Sequence, residues 1–149
     1  MVTVDPAGDA AGTRDQLKAL ASRWMEQLWQ QGNLKVVDEL HAPGFVDHSP
    51  AGRAPDREGF KAGVAELYAA FPDFYAVTER LVIDAPSHGV AIRWTAVGTH
   101  EGVFMGVPPS GERVTFEGID ILLIQGGLIV ERWGEWDGIS VLKQLGVRS

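Results

Sequence analysis

Two periods divide the chain. Up to about Phe71 the apolar residues recur every three or four positions, and beyond Pro72 they recur every two. Leu17, Leu20, Ala21, Trp24, Met25 and Leu28 make one helical stripe. It predicts a helix that opens at Thr13, with Gln16 completing a capping box, and closes at Gly32 and Asn33. Asn33 caps a short second helix, Leu34 to Leu40. A third, capped by Asp56, runs from about Arg57 to Phe71 on the stripe Phe60, Val64, Leu67 and Phe71. Between them His41 to Pro55, broken by Pro43, Gly44, Pro50, Gly52 and Pro55, reads as irregular. Residues 1–12 read as a flexible leader and 13–149 as one domain.

After Pro72, strands are predicted over Phe74–Asp84, Val90–His100, Arg113–Ile124 and Leu128–Trp136, and Gly126 and Gly127 form a tight turn between the last two. Gly138 to Gly146 reads as a short closing helix or turn. Helices first and hairpin-linked strands afterwards define an α+β fold with antiparallel pairing, the helices covering one face of the sheet.

Alternation then places polar residues on apolar faces. Phe116, Gly118, Asp120, Leu122 and Ile124 share a face, as do Ile92, Trp94, Ala96, Gly98 and His100. Val130, Arg132, Gly134 and Trp136 share another, opposite Glu131, Trp133 and Glu135. A carboxylate on a covered face needs a partner, a proton or a polar cavity wall. Arg132, on the neighbouring strand, is the structural partner for Asp120; the functional reading makes Asp120 a base or acceptor in a pocket, with its proton affinity raised by burial. His100 ends an apolar row beside a loop, and His48 lies in an irregular stretch where sites often sit. Asp47 reads as a local turn residue. The five tryptophans read as packing, some of them able to wall a ligand pocket.

Composition narrows the class. The 149 residues suffice for one core, and a net charge of −7 argues against nucleic acid and anionic membrane surfaces. No apolar run approaches the roughly 18 residues of a membrane span. The first residues lack the basic and apolar regions of a signal peptide, and there is no cysteine, which together suit the cytoplasm. The four histidines are too scattered for a zinc site, and no phosphate- or dinucleotide-binding motif occurs, so neither metal nor cofactor is expected.

The run Gly98-Thr99-His100-Glu101-Gly102-Val103-Phe104-Met105-Gly106-Val107-Pro108-Pro109-Ser110-Gly111 resembles a stretch of the SnoaL-like polyketide cyclase (ester cyclase) family. Phe45-Val46-Asp47-His48-Ser49-Pro50, Gly118-Ile119-Asp120-Ile121, Ile129-Val130-Glu131-Arg132-Trp133 and Leu142-Lys143-Gln144-Leu145-Gly146 are similar to other segments of it, so that the likeness spans about residues 14–146. The resemblance implies the nuclear-transport-factor-like cone: three N-terminal helices against a curved, mixed or mainly antiparallel sheet around a pocket. It also implies a homodimer formed through the outer sheet face. The family's catalytic Asp position matches Gly134 here, a departure at the central residue. Asp120 matches a second polar pocket residue, His100 the histidine of the first motif, His48 a pocket position, and Arg132 an inward-pointing His or Trp. A bulge at Gly134 would turn Glu135 inward as a substitute acid.

These readings give a cofactor-independent acid–base enzyme that cyclises a small, largely apolar polyketide-like or terpenoid substrate. Asp120, His100 and Glu135 are the catalytic candidates. His48, Arg132, Trp94, Phe104, Met105, Phe116, Gly134 and Trp136 are the substrate-binding ones. The alternatives are a non-catalytic small-molecule-binding or dimeric scaffold protein, which Gly134 favours by deleting the acid and enlarging the pocket, and an epoxide-opening hydrolase or cyclase.

Overall fold

The structure, a computed structural model, describes residues 6–147. Helix α1 spans Pro6–Arg23 and passes into a π-helical turn at Trp24–Leu28. It therefore starts seven residues before the expected cap: Thr13 lies inside it, and residues 6–12 of the expected leader belong to it, while residues 1–5 lie outside the described range. Proline suits a first helical turn and alanine is the strongest helix former, so Pro6-Ala7-Gly8-Asp9-Ala10-Ala11 extends the helix backwards despite its glycine. The predicted stripe packs inward, with Leu17, Ala21, Trp24, Met25 and Leu28 all buried. Helix α2 is Lys35–Leu40 and α3 is Arg57–Ala70, the latter capped as expected by Asp56, whose side chain accepts from the Gly59 amide at 2.8 Å.

Five strands form one curved sheet in the order β1-β5-β4-β3-β2. Strands β2 (Tyr75–Asp84), β3 (Gly89–Thr99), β4 (Arg113–Gln125) and β5 (Leu128–Trp136) pair antiparallel as the hairpin signals require. Strand β1, His41–Asp47, occupies the segment read as irregular and pairs parallel with β5. Pro43 and Gly44 hide it: proline cannot donate to a ladder, so such a strand survives only at a sheet edge, and its register with β5 is broken between His41 and Val46. Helix α4, Gly138–Gln144, closes the chain.

The inner sheet face carries the core. Ile92, Ala96, Phe116, Leu122, Ile124 and Ile129, with Phe45 of β1, meet Trp24, Leu28, Val36 and Val64 from the helical side. Each such side chain, fully removed from water, stabilises by about 1.5–3 kcal/mol. The outer face is wetter but not polar: Ile119, Ile121, Trp133, Tyr75 and Val77 stay exposed.

A bulge sets which side chains of β5 look inward. Ile124 pairs with Ile129 and Leu123 with Glu131, so Val130 is the extra residue and Ile129, not Val130, continues the inner row. Beyond it Arg132, Gly134 and Trp136 face inward opposite Leu122, Asp120 and Gly118. The expected bulge at Gly134 is absent. Register runs unbroken through Asp120–Gly134 and Ile119–Glu135, so Glu135 stays exposed on the outer face.

Candidate functional site

Between α3, the end of the first helix and the inner sheet face lies a cavity of about 430 Å³. Met25, Trp29, Phe60, Val64, Leu67, Phe74 and Phe116 supply its apolar wall. Its mouth is formed by two loops, one carrying Pro50, Ala51 and Arg53 and the other Val103, Phe104 and Met105. In the second loop Phe104 and Val107 exchange backbone hydrogen bonds across Met105 and Gly106, both at positive φ, which leaves Met105 exposed at the tip.

Asp120, Arg132 and Asp47 form the polar wall. Asp120 is 4% exposed; its Oδ1 accepts from Arg132 Nε at 2.8 Å and its Oδ2 from the Trp94 indole at 2.8 Å. Arg132 Nη1 donates to both carboxylate oxygens of Asp47, at 3.0 and 3.1 Å. The guanidinium carbon stands 5.1 Å from the centre of the Phe60 ring, a cation–π arrangement. Burial pushes the Asp120 carboxyl above its ordinary range; Arg132 and the Trp94 hydrogen bond oppose the shift, and the charge of Asp47 adds to it.

Two glycines make this geometry possible. Gly118 faces Trp94 across the β3–β4 ladder, and a Cβ there would stand 2.3 Å from the indole. Gly134 faces Asp120, and a Cβ there would stand 2.2 Å from Arg132 Nη2 and 2.4 Å from Asp120 Oδ1. Gly134 therefore does not enlarge the pocket, because the Arg132 guanidinium fills the space beside it. From diagonal positions on neighbouring strands, Trp94 and Arg132 reach the same carboxylate.

The structure thus brings together Asp120, Arg132, Trp94, Phe104, Met105, Phe116 and Trp136, all on the cavity wall, with Gly134 directly beneath the guanidinium. Three candidates lie elsewhere. His100 is fully buried behind Phe71, their rings 5.4 Å apart; its Nδ1 accepts from the Ser110 amide at 3.2 Å and meets the Ser110 hydroxyl at 2.8 Å. It pins the 101–111 loop to the end of β3, because Nδ1 is spent as an acceptor and the ring is away from the cavity wall. His48 lies outside: its ring stacks on Trp133 at 4.4 Å and its Nε2 meets Glu131 at 2.9 Å. Glu135 points outward, because the β4–β5 register runs unbroken past it.

Asp47 is the site residue that sequence reasoning missed. It does make the local turn bond, accepting from the Ser49 amide at 2.9 Å, but it also lies 3% exposed against Arg132. No hydropathy alternation marks it: Phe45 and Asp47 are buried on either side of exposed Val46, so the apolar residue faces out and the acid faces in. Ser49 extends the network, its hydroxyl accepting from the Gly134 amide at 3.0 Å. Among the described residues no cluster of three or more His, Cys, Asp or Glu side chains could hold a metal ion, and no helix is long and apolar enough to cross a membrane.

An apolar cavity in a helix-covered curved sheet, with two buried carboxylates paired to one arginine in its wall, is a pocket of small-molecule size. The chain belongs to the SnoaL-like polyketide cyclase family, whose pattern matches residues 19–145. It is 30% identical over 111 residues to the aklanonic acid methyl ester cyclase DauD of Streptomyces sp. (strain C5), covering 74% of this chain and 67% of that protein. Among solved structures it resembles IdmH of Streptomyces antibioticus, described as a candidate polyketide cyclase, with 35% identity, TM-score 0.76, and coverage of 89% of this chain and 99% of that one. It also resembles AclR of Streptomyces galilaeus, described as a candidate hydroxylase, with 27% identity, TM-score 0.79, and coverage of 89% and 96%.

Proposed function

We propose that this protein closes a ring in a polyketide-like substrate by acid–base chemistry, without metal or cofactor. The observation that carries the reading is the buried carboxylate of Asp120, oriented by the Trp94 indole and Arg132 Nε in the wall of an apolar cavity. Burial raises its proton affinity, which makes it a stronger base than an exposed carboxylate. Asp120 takes a proton from a carbon flanked by carbonyl groups, and the electron pair moves into an enolate. That carbon attacks a carbonyl elsewhere in the same molecule, a carbon–carbon bond forms, and the new alkoxide recovers the proton from Asp120.

Arg132 supplies the stabilisation that His100 and His48 are not placed to give. Its Nε faces Asp120 and its Nη1 faces Asp47, leaving Nη2 for an enolate oxygen. The negative charge then moves from one side of a fixed guanidinium to another, with little reorganisation. The apolar wall folds the substrate so that its reacting carbons meet. Exposed Ile119, Ile121 and Trp133 on the outer sheet face suit a homodimer, which Ile119→Glu would dissociate in sedimentation experiments.

Aklanonic acid methyl ester is the first substrate to try, by analogy with DauD. Turnover followed by mass-neutral product formation in chromatography should fall at least about 100-fold in Asp120→Asn. Unchanged turnover in that folded variant would refute the mechanism. Tight binding with no product across a polyketide panel would favour the non-catalytic binder.

A further inference from the structure

The site holds two carboxylates on one guanidinium, and the second is not a bystander. We propose that Asp47 and Asp120 work as one acid–base unit across Arg132, Asp47 acting as the positioning residue that keeps Arg132 turned and keeps Asp120 basic. This rests on the cyclase reading only for its catalytic consequence; the coupling itself is a property of the unliganded protein.

The argument begins with charge. Both carboxylates are almost wholly out of water and both bond the same cation, Asp120 through Nε and Asp47 through Nη1. With both ionised the cluster carries one negative charge in excess, in a setting where charges interact far more strongly than in water. If Arg132 faced Asp120 alone, its whole charge would hold that carboxyl ionised and make it a feeble base. Asp47 takes up much of that field. Repulsion from Asp47 then favours a proton arriving on Asp120, which is the event that base catalysis requires.

Geometry decides which of the two accepts the proton. Asp47 Oδ1 is held by the Ser49 amide as well as by Nη1, and Oδ2 by Nη1. Its backbone is tied by its own amide to the Pro55 carbonyl at 3.0 Å, and it sits opposite Arg132 in the parallel β1–β5 ladder. Asp120 has no backbone donor, only the indole and Nε. Asp47 is thus the more firmly held carboxylate and Asp120 the one freer to take a proton. The other charged groups on the cavity wall are Arg53 and Glu66, paired with each other at 2.7 Å at the mouth. At the start of β1 lies His41, kept neutral by burial, so it adds no charge to the cluster.

Carboxyl carbon NMR on protein labelled at aspartate tests the unit without substrate. In the wild type, the Asp120 titration curve should depart from a single-site shape. In Asp47→Asn, which keeps the shape and can still accept from Ser49, the Asp120 midpoint should fall by about one pH unit or more. The acidic limb of kcat/KM should move down with it, and kcat at neutral pH should drop about tenfold with little change in KM. In an Asp120→Asn background, Asp47→Asn should cost no further turnover. A single-site Asp120 curve in the wild type, or an Asp120 midpoint unmoved in a folded Asp47→Asn protein, would overturn the proposal and leave the cyclase reading intact. Unaltered turnover in Asp120→Asn alone would remove that reading while the NMR result still decided the coupling. Should Asp47→Asn not fold, the shape of the wild-type Asp120 curve alone decides whether the two carboxylates are coupled.

Discussion

The two faces of the β1–β5 pair carry nearly the same chemistry and put it to different ends. Inward, Asp47 meets Arg132, which meets Asp120, with an aromatic ring against the guanidinium. Outward, one residue along each strand, His48 meets Glu131 and stacks on Trp133. The outer pair is over a third exposed, whereas the inner carboxylates are at most 5% exposed at their side chains. Water screens the first and not the second, so only the inner cluster can shift proton affinities or lose much when a partner is removed. Neighbouring residues thus differ in function through the direction the pleat points them.

Arg132→Ala should break the contrast most severely. It strands two carboxylates in the core, and the loss should be about 3–5 kcal/mol in urea titrations at pH 8. The loss should shrink at pH 4, where the carboxylates can take protons; a pH-independent loss would mean the cluster is not ionic.

His41 gives the next largest effect. It is buried at the start of β1, its Nε2 accepting from Trp24 at 3.3 Å and its Nδ1 donating to the Val37 carbonyl at 2.9 Å. Burial holds it down to about 4, below an ordinary value of 6.5. The unfolded chain therefore binds a proton that the folded one refuses. Stability from this residue is complete above pH 6.5 and declines as pH falls toward 4, by about 3 kcal/mol in all. Asp120 works in the opposite sense, since its raised proton affinity makes the folded state lose stability as pH rises through its titration. His41→Phe should flatten the acid limb of the stability curve, and an unchanged limb would assign it to other groups.

Gly134→Ala sharpens the comparison inside the inner cluster. Its methyl collides with Arg132 Nη2, so the guanidinium must shift, costing about 1–3 kcal/mol by thermal unfolding and lowering turnover by disturbing Asp120. His48→Ala should do least: less than about 1 kcal/mol, with turnover unchanged. A large turnover loss there would show that the outer face reaches the chemistry.

Much of this was legible in the sequence. The helical stripes, four strands and the inward row of Phe116, Gly118, Asp120 and Leu122 followed from periods of 3.6 and 2, because one-sided burial imposes those periods. So did the pairing of Asp120 with Arg132, since hairpin strands make it local. The resemblance carried by the motif segments identified the family but misplaced His100 and His48, whose neighbours depend on how loops pack. That the Arg132 guanidinium fills the space beside Gly134 was not legible, because an arginine on the same strand does so through its side-chain course.

By itself, then, the sequence determined that an acid would lie on the covered face of a curved sheet, since alternation is a local consequence of the pleat. Tertiary structure decided what that acid is joined to. Asp47 and Arg132 are 85 residues apart, brought together by a short parallel edge strand with too few paired residues to leave a periodic trace. Parallel pairing is a long-range event fixed by packing rather than by any turn, so the second carboxylate of the site comes into view only once the sheet is assembled.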